Sequence, residues 1–285
     1  MQTLVLHNPI WSLVLLPQWG GRSASLTVGT LDVLTPIQAN RFDPLHWPRG
    51  GAYPLLPYSN RLRDARLTHG GVTHTLPAHP AAHPHTLHGV SHTLAWDVID
   101  HSPTHALLSV DYNGEHWPWP VRFQQRFDLE GNCIRLQLSV TNLGDSSMPA
   151  GLGLHPYFQR HPGMTVQCAP KLAWELDADY LPIGSALALH EPLRLPADVA
   201  HEVAIYASRW DGRAQLDYPQ GQLLMQADHT LGHLVIFAPP GAPYLCLEPV
   251  SHLANAFNQW PEQGTQVLEA GHTLSATFSL TWTPV

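Results

Sequence analysis

Charge is scarce in this chain of 285 residues. Asp, Glu, Lys and Arg together make up 13%, about half the usual share, and Lys171 is the one lysine. The formal net charge is -8 and no Lys/Arg cluster interrupts it, which argues against nucleic acid as a partner, because binding by counterion release needs such clusters. No apolar run reaches the 18 residues of a membrane span, and Met1-Gln-Thr-Leu-Val-Leu-His-Asn-Pro lacks the basic start and long apolar stretch of a secretion signal. A cytoplasmic location is therefore expected. Cysteine is sparse too. Cys133, Cys168 and Cys246 are widely spaced, an odd number without CxxC spacing, which gives neither a disulfide framework nor a zinc knuckle. Buried thiols in a reducing compartment are expected. There is no Gly-x-Ser-x-Gly elbow and no Gly-rich loop ending in Lys-Ser/Thr, so neither a serine hydrolase nor an NTP site is indicated.

Apolar residues, proline and glycine are plentiful. Apolar residues make up 44%, enough to exclude disorder. The 27 prolines and 21 glycines interrupt almost every window long enough for a helix. Short alternating stretches lie between them. Thr93–Ile99, Ala106–Tyr112, Val121–Leu129 and Cys133–Val140 read as strands, and the last two repeat apolar residues at every second position. Glu130-Gly131-Asn132 joins those two as a hairpin, and Asn142-Leu-Gly-Asp-Ser is a second turn. Leu234–Phe237, Tyr244–Leu247 and Leu274–Trp282 continue the pattern. The expected fold is all-β, a large antiparallel β-sandwich, with residues 1–285 forming a single domain because no linker or composition shift divides them.

Several polar residues stand out. Histidine is abundant, at 20, and densest in His79-Pro-Ala-Ala-His83-Pro-His85-Thr-Leu-His88. His83 and His85 alternate as two metal ligands on a strand do, but Pro84 disfavours a ladder and no Cys or carboxylate completes the set, so these read as loop histidines and no metal site is expected. Asn60-Arg61 follows an apolar, turn-rich run. The Arg61 guanidinium suits ligand hydroxyls, against a structural pairing with Asp64. His88 precedes Gly89, whose missing side chain lets backbone approach closely. His155 and Glu248 each lie in a mostly apolar run, and such a pair can work as acid and base on one small molecule. Pro249 places Glu248 at the end of its strand. Trp96, Trp117, Trp119 and Trp210 suit sugar stacking but are more often core residues.

Five blocks carry a resemblance: Pro54-Leu-Leu-Pro-Tyr-Ser-Asn60-Arg61, Leu87-His88-Gly89 before Trp96, Gly153-Leu-His155-Pro-Tyr-Phe158, Trp210-Asp-Gly212 and Leu247-Glu248-Pro249. In this order they resemble the aldose 1-epimerase (galactose mutarotase) family. The resemblance implies a galactose mutarotase-like sandwich, Glu248 as general base, His155 as general acid, and Arg61, His88, Asn60 and Asp211 as sugar-binding residues. It implies a monosaccharide as the partner, no metal or organic cofactor, and a monomer or homodimer. A Glu and a His meet the need for opposite protonation states with modest pKa shifts.

The sequence departs from the family in two places. The aspartate that mutarotases commonly carry upstream of Trp-Asp-Gly is missing, its expected position being Ala204, with Glu202 or Asp211 as substitutes. The arginine that follows His-Gly in relatives acting on hexose 6-phosphates is also missing, since the segment reads His88-Gly-Val-Ser-His92. A neutral, free aldose is therefore expected. The alternatives are a non-catalytic carbohydrate-binding or sensing domain on the same scaffold and a hexose-6-phosphate mutarotase, for which Arg63, Arg66, Arg122 and Arg126 are available.

Overall fold

The computed structural model describes residues 3–37, 41–46, 48–259 and 263–285. Two large antiparallel sheets of eleven and nine strands dominate it, with two small two-stranded sheets beside them. Among the described residues the α-helix is a single turn, Ala256–Gln259, and no helix is long and apolar enough to cross a membrane.

Periodicity explains the nine-stranded sheet directly. In Trp117–Glu130 every second side chain is buried, including Val121, Phe123, Phe127 and Leu129. This strand pairs with Cys133–Asn142 through the tight turn at Gly131, as the spacing predicts. The one polar residue on the buried face, Gln125, donates from Nε2 to the Gly21 carbonyl at 3.0 Å, so its amide is partnered across the sandwich. Side chains from both sheets, among them Leu13, Phe123, Leu138, Leu234, Ile236 and Leu247, form one continuous core.

Two expectations are corrected. Thr93–Ile99 is not one strand: Ser91–Thr93 is a 3-10 turn and the strand begins at Asp97. Trp96 is the reason. It turns into the core, and its Nε1 donates to the Ser91 carbonyl at 2.9 Å. Glu248 does not end its strand either, because Tyr244–Val250 runs on through Pro249, which pairs with Leu234. Proline removes a donor but fits an extended backbone, so Glu248 projects from mid-strand.

Five neighbouring strands of the eleven-stranded sheet position the site. In spatial order they are Ala52–Leu55, Gly153–Gln159, Tyr244–Val250, His233–Ala238 and Val203–Ser208. Alternation splits each of them between two faces. Leu154, Phe158, Leu234, Ile236, Leu245 and Leu247 enter the main core. Tyr53, Tyr157, Val235, Tyr244 and Cys246 enter a second apolar cluster on the other face.

Candidate active site

The site begins as a row of side chains across that second face. Tyr53 pairs with His155, Val235 with Glu248, and Tyr206 with Val235. Between the His155 and Glu248 strands the register is fixed by Gly153 opposite Val250 and Tyr157 opposite Cys246. That register sets His155 opposite Glu248. No ladder pair forms between those anchors, where Pro156 and Pro249 have no N–H to give. The next row on the same face holds Tyr157, Cys246, Phe237 and Ala204.

Two loops supply the remaining residues. Asn60 and His88 both have positive φ, 59° and 63°, and they lock together. The Asn60 N–H donates to His88 Nδ1 at 3.2 Å, and the His88 N–H donates to the Asn60 carbonyl at 2.9 Å. Nδ1 therefore accepts, which places the imidazole proton on Nε2. Gly89 lets this loop lie against Leu56, since a Cβ there would come 2.3 Å from the Leu56 carbonyl oxygen. Arg61 is held by its backbone, its carbonyl accepting from the Asn255 N–H at 2.9 Å. Its guanidinium lies over the Tyr180 ring at 5.2 Å, not on Asp64.

These residues enclose a cavity of about 410 Å³, within the range of small-molecule sites. Asn60, Arg61, His88, His155 and Glu248 all line it, beside an aromatic wall that includes Tyr157, Tyr206, Phe237 and Tyr244. His155 Nε2 lies 3.4 Å from Glu248 Oε1, and the His155 ring stacks against Tyr157 and Tyr53 at 4.6 and 4.8 Å. Glu248 and His155 are 4% and 7% exposed, which makes desolvation dominant.

Burial pushes the Glu248 carboxyl up to about 8, although the Arg61 charge draws it down. Burial pushes His155 down to about 3, aided by the positive charge of Arg22. Arg22 is itself fully buried, 4.3 Å from the Tyr53 ring centroid. His88 is driven well below the usual histidine range by burial and by His155. The expectation of modest shifts is therefore corrected. Desolvation thus favours the protonated carboxyl of Glu248 and the neutral imidazoles of His155 and His88. The pair still holds one transferable proton, as a carboxylate–imidazolium pair would.

The structure brings five of the six predicted site residues together and leaves one out. Asp211 is exposed in the turn before Arg213–Tyr218, a strand of the nine-stranded sheet, and its Oδ1 accepts from the Arg213 N–H at 3.1 Å. It does not line the cavity. Asp-Gly is turn chemistry here. Ala204, the expected position of the missing aspartate, lies on the cavity face beside Phe237. The Glu202 carboxylate accepts from the Tyr180 hydroxyl at 2.6 Å and meets the cavity only through that ring. The four tryptophans are core residues. In the histidine-rich stretch the Nδ1 atoms of His79, His85 and His88 accept backbone N–H groups. Sequence reasoning missed Arg49, Tyr53, Tyr157, Tyr206, Tyr244 and Cys246, all of which line the cavity. Tyr157 and Cys246 carried a usable signal, being two residues from His155 and Glu248 and so on the same strand face.

The fold is an antiparallel sandwich with a buried His155–Glu248 pair lining an aromatic cavity. The chain belongs to the aldose 1-epimerase family, whose model matches residues 2–281. It is 26% identical over 244 residues to the uncharacterised protein YphB of Escherichia coli K12, covering 80% of this chain and 82% of that one. A crystal structure of a provisionally assigned aldose 1-epimerase from Escherichia coli K12 superposes with a TM-score of 0.89 at 23% identity, over 100% of this chain and 99% of the other. A galactose mutarotase-like protein from Clostridium acetobutylicum superposes with a TM-score of 0.86 at 18% identity, over 99% and 95% of the two chains.

Proposed function

We propose that this protein interconverts the α and β anomers of a free aldose by acid–base ring opening and reclosure. The observation that carries the reading is the buried pair, His155 Nε2 at 3.4 Å from Glu248 Oε1, facing a cavity of monosaccharide size. Membership of the aldose 1-epimerase family supports it. To change anomer, the C1 hydroxyl must lose a proton and the ring oxygen must gain one. Rotation about C1–C2 then offers the other carbonyl face, and reclosure reverses both transfers.

Sugar hydroxyls entering the cavity surround Glu248 with hydrogen-bond donors, which favours its carboxylate form. Its proton then passes to His155, which leaves the pair as carboxylate and imidazolium. Glu248 takes the C1 hydroxyl proton and His155 protonates the ring oxygen. Neutral His88, with its proton on Nε2, and Arg61 and Asn60 donate to sugar oxygens, while the aromatic wall packs on apolar ring faces. A non-catalytic binding domain has no use for a matched acid and base held at this distance.

A phosphorylated aldose is the second reading, favoured by Arg49 at the cavity. Of the arginines put forward from sequence, Arg63, Arg122 and Arg126 are paired with Asp177, Asp111 and Asp128. Polarimetry on freshly dissolved α-anomers of glucose, galactose, other aldoses and glucose 6-phosphate tests both readings. Acceleration over the spontaneous rate with a free sugar is the expected result. Acceleration with the phosphate ester alone would move the assignment to the second reading, and none with any sugar would remove both.

A further inference from the structure

Cys246 has no part in that chemistry, yet it lies in the middle of it. It is fully buried, lines the cavity, and sits two residues before Glu248 on the same strand face, with His155 on the neighbouring strand. One ligand atom from each of His155, Cys246 and Glu248 lies within 4.8 Å of the others. The His155–Glu248 separation of 3.4 Å is long for a hydrogen bond. It matches two ligands on one tetrahedral ion, which at about 2.1 Å from zinc stand about 3.4 Å apart, and the Cys246 sulfur, within 4.8 Å of both, closes to the roughly 3.6 Å of a bound thiolate by a small side-chain movement.

We propose that His155, Cys246 and Glu248 form a binding site for a thiophilic divalent cation such as zinc, and that the bound ion blocks the sugar site. Charge balance supports this. A divalent ion with one thiolate, one carboxylate and one neutral imidazole has no net charge, which lowers the cost of burying it. Cys246 and Glu248 each release a proton on binding, and His155 supplies a lone pair. The three side chains leave the fourth coordination position to water. A thiolate and an imidazole select zinc over magnesium or calcium. The inhibition rests on the function proposed above, but the binding does not.

Cobalt(II) separates the two. Titration of the metal-free protein should give a near-ultraviolet thiolate-to-cobalt band that saturates at one equivalent and is bleached by zinc. The band should vanish in Cys246→Ser and in Cys246→Ala. It should persist in a Cys133→Ser/Cys168→Ala variant, which keeps Cys246 as the last thiol and holds the test open if the Cys246 variants fold poorly. Zinc should inhibit mutarotation competitively with sugar and reversibly by chelation, with a Kd weakened on the order of tenfold or more in Cys246→Ser. The site is disproved by absence of the band at one equivalent, by its survival without Cys246, or by zinc inhibition equal in native and Cys246→Ser protein, which would assign the metal to surface histidines. A full cobalt band on a protein that accelerates no sugar would leave the site standing and overturn the enzymatic reading alone.

Discussion

The two faces of the central sheet are built from the same strands and do different work. In Tyr244–Val250, Leu245 and Leu247 join the main core, while Cys246 and Glu248 line the cavity. In Gly153–Gln159, Leu154 and Phe158 face the core, and His155 and Tyr157 face the cavity. Both faces are buried, so exposure does not separate them. What separates them is chemistry. The core face gains stability from every side chain, each buried leucine worth about 1.5–3 kcal/mol. The cavity face buries a carboxyl, two histidines and a guanidinium, all of which resist desolvation. The rigid face holds the costly one in register, which is how a carboxyl shifted to about 8 can be kept 3.4 Å from an imidazole.

Substitutions one residue apart should divide these roles. Glu248→Gln should lower kcat/KM by about 10²–10⁴-fold, the usual worth of one general base, while circular dichroism stays native. The same variant should be more stable than the native protein in alkali. The native carboxyl keeps its proton in the fold up to about pH 8, whereas in the unfolded chain it ionises near 4.5. The stability it confers is therefore full below about pH 4.5, is lost progressively as pH rises to about 8 and is constant beyond, and an amide has nothing to lose. His155, neutral in the fold down to about 3, acts in the opposite sense and only below 6.5. Thermal melts from pH 6.5 to 9 should show the native midpoint falling up to about pH 8 and then levelling, while the variant's holds throughout. Its neighbour should behave in reverse. Leu247→Ala should cost about 2–5 kcal/mol of stability in urea melts, yet leave the rate per folded molecule within a few-fold.

A smaller effect comes from pH alone. The pair works while it holds one proton, so kcat/KM should be flat below neutrality and fall about tenfold per pH unit above about 8, after subtraction of the spontaneous rate. A fall beginning near pH 6.5 instead would mean that an ordinary histidine governs the reaction. The smallest effect should come from Asp211→Ala. Loss of its bond to the Arg213 N–H should cost about 0.5–1.5 kcal/mol and leave the rate within about twofold, since Asp211 lies outside the cavity. A large loss of rate would return Asp211 to the site.

The sequence made one face easier to read than the other. Alternation in Val121–Leu129 and Cys133–Val140 marks one hairpin of the nine-stranded sheet, because those strands are wet on one side. Tyr244–Val250 is buried on both sides, so no period marked where it ended, and Pro249 was misread as a stop. His155 and Glu248 were legible as isolated titratable groups in apolar runs, but their pairing depends on register between strands some ninety residues apart, which local pattern does not carry. Arg22 and Tyr53 were invisible for the same reason, since their effect on His155 comes through stacking and charge across the sheet. The Trp-Asp-Gly block offers both a ligand carboxylate and an Asp-Gly turn, and the fold uses Asp211 in the turn, outside the cavity lining.

The central claim is that one proton held between His155 and Glu248 drives exchange between anomers. Magnetisation-transfer NMR on an equilibrium mixture of α and β anomers measures that exchange directly, without a net reaction. Native protein should exchange the anomeric signals at a rate proportional to enzyme concentration, and folded Glu248→Gln should return the rate to the spontaneous value. Exchange undiminished in Glu248→Gln would contradict the account.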